Sequence, residues 1–138
     1  MSTSDTLPYG MSATVRLPYE RAVERAREAL SAEGFGVLTE IDVRATLKQK
    51  LDADFRPYII LGACNPPMAH RALTAEPHIG LLLPCNVIVY AADDQGSSVI
   101  AVVDPEVSLG RVGNDALAPL AAEVKSRLQR VLDAVSGD

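Results

Sequence analysis

Two stretches decide the fold: Tyr58-Ile59-Ile60-Leu61-Gly62-Ala63-Cys64-Asn65-Pro66-Pro67, and Leu83-Pro84-Cys85-Asn86-Val87-Ile88-Val89-Tyr90-Ala91. Tyr58 to Cys64 is a near-continuous apolar run, the mark of a central strand covered on at least one face. Asn65 and Pro66 end it and open a helix, Asn65 as the cap and Pro66 in the first turn, where its missing N–H has no intrahelical partner. Pro77 closes that helix. Asn86 to Ala91 is the strongest strand signal in the chain. Turn residues over Ala92 to Gly96, then Val99 to Val103, make it the first arm of a hairpin. If the two quoted strands pair antiparallel across the helix between them, the thiols of Cys64 and Cys85 converge.

Outward from this centre the periodicity is equally readable. Ala13, Val15 and Leu17 alternate with polar residues, predicting a strand over Met11 to Leu17. Tyr19, Ala22, Val23, Ala26, Ala29 and Leu30 then recur at steps of three and four, a helix from Pro18 to Glu33 with one buried face. Gly34 suits the left-handed C-cap, and Phe35 to Ile41 reads as a second strand. Val43, Leu47 and Leu51 predict a short helix within Asp42 to Asp54, with Asp42 as N-cap. Asn114 to Val135 is the clearest amphipathic helix, with Pro119 in its first turn. Met1 to Gly10 reads as a flexible lead before one domain over residues 11–138. The order predicts an α+β fold, mainly an antiparallel sheet with helices packed against it.

The chain has 138 residues, one domain by length. With 48% hydrophobic residues it can fill a core, which excludes disorder over most of its length. Thirteen Lys and Arg against eighteen Asp and Glu leave a net charge of −5. That balance argues against nucleic acid, whose affinity comes from basic residues neutralising phosphates. The apolar stretches are broken by Gly, Pro or Asn and fall short of a membrane span. The first ten residues do not read as a signal peptide, and two cysteines are too few for a secreted disulfide scaffold, so a cytoplasmic location is expected.

Chemistry-bearing residues are few. A converging Cys64 and Cys85 could bind a soft metal, form a reversible disulfide or carry a persulfide, since thiolate character governs all three. Against this stands the bland role of buried free cysteines as small hydrophobes. His70 and His78 match no standard zinc spacing. Asn65 is expected to cap its helix, while Asn86, at a strand start, could lend a polar group to a pocket. No Gly-x-Ser-x-Gly elbow exposes a serine. Asp104 is the best-placed single acid, and a small-molecule enzyme could use it or a tyrosine such as Tyr58, but no constellation in the sequence stands behind either.

The two cysteine motifs, with Ala69, Ala72-Leu73, Ile79-Gly80-Leu81-Leu82 and Val103-Asp104-Pro105, resemble the domain of unknown function 302 family over roughly Met11 to Val135. The resemblance implies a single α+β domain of TBP-like β-α-β-β-β-β-α topology with short extra helices, often self-associated. It implies no reaction and no cofactor, and TBP-like topology does not carry DNA binding to an acidic chain. The expected function is therefore a small domain that binds a ligand or soft metal, or handles thiol redox or sulfane sulfur, at Cys64, Cys85, Asn65 and Asn86. The alternative is a homodimeric interaction module whose cysteines are structural.

Overall fold

The computed structural model describes residues 3–93 and 96–137. Six antiparallel strands form one sheet in the order β1-β2-β6-β5-β4-β3. They are β1 (Thr3–Leu7), β2 (Gly10–Val15), β3 (Gly36–Asp42), β4 (Tyr58–Cys64), β5 (Cys85–Ala91) and β6 (Ser98–Val103). The helices are α1 (Tyr19–Ala32), α2 (Val43–Leu51), α3 (Pro66–Ala75), α4 (Pro105–Gly110) and α5 (Ala118–Ser136), with 3-10 turns over Pro77–Leu82 and Asp115–Leu117.

The α+β expectation holds, and β4 has the boundaries that the apolar run predicted. One expectation is corrected. The supposed flexible lead contains β1, which pairs with β2 from Thr3↔Thr14 to Leu7↔Gly10. An edge strand bonded on one side needs no apolar alternation, so Thr3 to Leu7 gave no strand signal. Gly10 is obligatory at the turn, because a Cβ there would lie 2.6 Å from the Val102 carbonyl oxygen. Of the expected 92–96 turn, Asp94 and Gln95 lie outside the described residues.

Strand alternation sorts the sheet into two faces. Met11, Ala13, Val15, Leu61, Ala63, Val87, Val89, Ile100 and Val102 turn inward, where α1 and α5 cover them in the main core. Small residues on α1, Ala22, Ala26 and Ala29, let its backbone approach closely. From α5 come Leu128 and Val131, fully buried, each contributing roughly 1.5–3 kcal/mol by leaving water. The two helices are also tied end to side: Arg127 Nη1 donates to the Glu33 carbonyl at 2.9 Å, satisfying the C-cap of α1.

A second, smaller apolar cluster lies beside the main core. Ala72 from α3, Ile79, Leu109 from α4, Leu117, Leu120 and Ala121 make it up, with Met68 and Leu83 packed against it. Asp104 anchors this corner. Its Oδ1 accepts from the Glu106 backbone N–H at 2.9 Å, capping α4, and its Oδ2 meets Lys125 Nζ at 3.0 Å. Lys125 is held above its ordinary pKa by its hydrogen bonds to Asp104 and then Glu106. The carboxyl singled out as a candidate acid thus caps a helix and pairs with a lysine. Asp104→Ala is expected to lower stability by about 1–2 kcal/mol, and Asp104→Asn, which can still cap, by less, measured by urea unfolding.

Candidate functional site

β4 and β5 pair antiparallel, with Ala63 opposite Cys85, as the convergence of the cysteines required. The chain between them leaves the sheet at Cys64 and returns to it at Cys85. Asn65 starts the excursion: its Oδ1 accepts from the Met68 backbone N–H at 3.3 Å, the N-cap that the Asn-Pro-Pro sequence predicts. α3 runs outward, the 3-10 turn over Pro77–Leu82 runs back, and both rest on the N-terminal half of α5.

Beneath this excursion lies a cavity of about 290 Å³. Its wall is almost wholly apolar, with Phe35, Ala63, Met68, Ala72, Leu120 and Val124 among its residues, and it also holds Cys64, Cys85 and Asn65. It occupies the seam between the two apolar clusters. Leu38 reaches its rim because the β3–β4 register slips between Val37 and Thr39, and a bulge there re-aims the extra side chain. Leu38 is 66% exposed, so this wall is open on one side.

Both cysteines are free thiols, and no disulfide joins them. They are neighbours in one wall rather than a bonded couple. Burial pushes the Cys85 thiol up to about 11, with the nearby Cys64 adding to the effect. Burial raises Cys64 as well. Desolvation penalises the thiolate, and among the described residues no cation offsets it at either sulfur. Among the described residues no group of three or more His, Cys, Asp or Glu could hold a metal ion. His70 and His78 are both exposed, on α3 and the 3-10 turn.

Of the four residues singled out in the sequence, three therefore share one wall and Asn86 does not. Asn86 pairs with Gly62 and is exposed, pointing away from the inward Cys85 and Val87 on either side of it. Its position at the strand start was read correctly, but strand alternation turns its amide to the other face. Tyr58 also lies on that face, stacked on Tyr90 with centroids 5.4 Å apart. Its hydroxyl is raised above its ordinary pKa by burial, then by Tyr90 and Tyr9. The apolar wall residues were missed as site residues, since Ala69, Ala72 and Val124 at helical spacing look like ordinary core. Among the described residues no helix is long and apolar enough to cross a membrane.

Comparison with known proteins agrees with this architecture. The family described as Domain of unknown function DUF302 matches residues 11–135. A solved structure, the crystal structure of uncharacterized conserved protein DUF302 from Bacillus stearothermophilus, superposes with a TM-score of 0.85 at 33% identity, over 94% of this chain and 99% of that one. No curated protein matches the chain. With the sheet, the helices and both cysteine motifs inside the matched span, the chain belongs to the DUF302 family.

Proposed function

We propose that the domain binds a small apolar molecule in the cavity walled by Cys64, Cys85 and Asn65. The observation that carries this reading is the cavity itself. A space of about 290 Å³, close to the lower end of ligand pockets, opens at the seam between the two apolar clusters. Apolar surface left facing water in such a cleft costs free energy that a hydrocarbon ligand would recover. At roughly 30 Å³ per water-sized group, the space takes about ten non-hydrogen atoms.

The thiols enter this reading as protonated, polarisable wall groups. Burial favours the protonated form of Cys85 and so slows disulfide exchange, which proceeds through the thiolate. Sulfane-sulfur handling would proceed through the thiolate, which burial disfavours, whereas a bound soft metal would itself supply the charge that stabilises it.

Self-association is a second reading, favoured by the sheet face opposite α1 and α5. From β3 through β2 its outward positions include Ile41, Tyr58, Ile60, Ile88, Tyr90 and Val99, none of them charged, and Ile41 is 48% exposed. The charged group that lies against this face, Arg56, holds its guanidinium 5.6 Å from the Tyr90 ring centroid and pairs with Asp93, so two copies that each carry a net charge of −5 could meet there with little repulsion, in a two-fold contact.

Three measurements test these readings. Isothermal titration with 1-octanol is expected to show one saturable site, and Ala69→Phe, which puts a ring into the cavity, to abolish it while leaving the melting temperature within a few degrees. No heat with the unaltered chain would sink the cavity reading. In iodoacetamide labelling at pH 7.5, Cys64 is expected to react before Cys85. The Cys85 rate should climb as pH rises toward 11, because the protonated form is favoured below its raised pKa, and 1-octanol should slow both. Rapid labelling of Cys85 at neutral pH would reinstate thiolate chemistry. In sedimentation equilibrium the chain is expected to be a dimer and Ile88→Glu a monomer; a monomeric unaltered chain would remove the second reading.

A further inference from the structure

The cavity wall is chemically uniform. Among the described residues none of its side chains is charged, and the only polar one besides the two thiols is Asn65. Asn65 is committed to the start of α3, its Oδ1 accepting from the Met68 backbone N–H. Burying an ionised or unpaired polar group in such surroundings is costly, so a ligand that enters the space brings hydrocarbon into it. Any polar group that the ligand carries belongs where the cavity meets water.

The opening is marked by three residues. Most of the wall is buried or half-buried, and its exposed members are Leu38, Leu73 and Gly80. Leu38 is 66% exposed and Leu73 41%. A Cβ on Gly80 would lie 4.0 Å from Leu73 Cδ2, so α3 and the 3-10 turn that follows it come together at this edge. From the sheet side the bulge in β3 supplies Leu38. Past Gly80 the turn goes on with Leu81, which is 84% exposed. The hydrocarbon lining therefore continues into solvent as leucine.

We propose that the ligand is a single-chain amphiphile bound tail first: an unbranched hydrocarbon chain fills the cavity, the polar head stays in water at the mouth, and Leu38 and Leu73 cover the methylenes next to the head. This rests on the cavity being a binding site, and it names the class of molecule and its direction of entry. A space for about ten non-hydrogen atoms takes a chain of about ten carbons with the head left outside. Because the head meets water rather than protein, its charge has little effect on affinity. Because each covered methylene leaves water, affinity grows about fourfold per carbon. The exposed leucines at the mouth are apolar for the same reason, since the chain lies against them when the site is filled.

The test is isothermal titration at pH 7 with decanoate, decyltrimethylammonium and 1-decanol, all below micelle-forming concentrations and in about 0.15 M salt, which screens the net charge of −5. The three are expected to bind within about threefold of one another, and Ala69→Phe to abolish all three. In the alkyltrimethylammonium series affinity is expected to rise about fourfold per methylene from hexyl to dodecyl. With Leu38→Ser or Leu73→Ser, both at exposed positions, the rise is expected to persist to decyl and then to flatten. If 1-decanol binds but either ion does not, or if the ions still bind to the Ala69→Phe chain, the tail-first assignment falls and the cavity as a site for neutral molecules stands. If the gain from decyl to dodecyl survives both leucine substitutions, the role of the two leucines falls. If none of the three compounds binds, the amphiphile and the cavity reading fall together.

Discussion

The structure depends on a closure condition. Cys64 and Cys85 flank a twenty-residue excursion, yet Ala63 lies directly opposite Cys85 in the sheet. The chain must therefore leave and return at the same place, and a segment of that length cannot enclose a core of its own. It is stable only by leaning on something else, and α5 is what it leans on: Leu120 and Ala121 meet Ala72 and Ile79 there. The ion pair of Lys125 with Asp104 fixes that end of α5 against the chain leaving β6. Both cysteines, the capping asparagine and the cavity follow from this geometry, because they sit where the loop is pinned shut.

The same geometry sets the chemical character of the site. A strand end buried under a helix offers sulfur and hydrocarbon but little water, so the thiols are held protonated instead of being activated. Reactive cysteines are found near cations or helix N-termini that stabilise the thiolate. Here Cys64 directly precedes the N-cap of α3, yet desolvation is the leading influence on both sulfurs.

Much of this was legible in the residues. The apolar run Tyr58 to Cys64 and the Asn-Pro-Pro that follows define a strand end and a helix start through backbone chemistry that acts locally. The same holds for Asp42, whose side chain accepts from the Ala45 N–H as its position before Val43 suggests. What could not be read depends on partners far along the chain. β1 looks polar because it is bonded along one edge only. α4 is six residues long, too short for a period, and its Pro-Glu-Val-Ser-Leu-Gly read as part of a connection. Asn86 and Cys85 are adjacent in sequence but face opposite sides of the sheet, a distinction set by the register with β4. The cavity was least legible of all, since its wall residues are apolar side chains like those of a filled core.

The division of the apolar interior into two clusters has a kinetic consequence. The main core joins five strands to α1 and α5, while the smaller cluster joins α3, the two 3-10 turns, α4 and one end of α5. Few buried contacts hold the smaller unit, so its amides open and exchange with solvent at a lower free energy than those of the sheet. The excursion over residues 65–84 is therefore expected to open locally while the sheet beneath it stays folded.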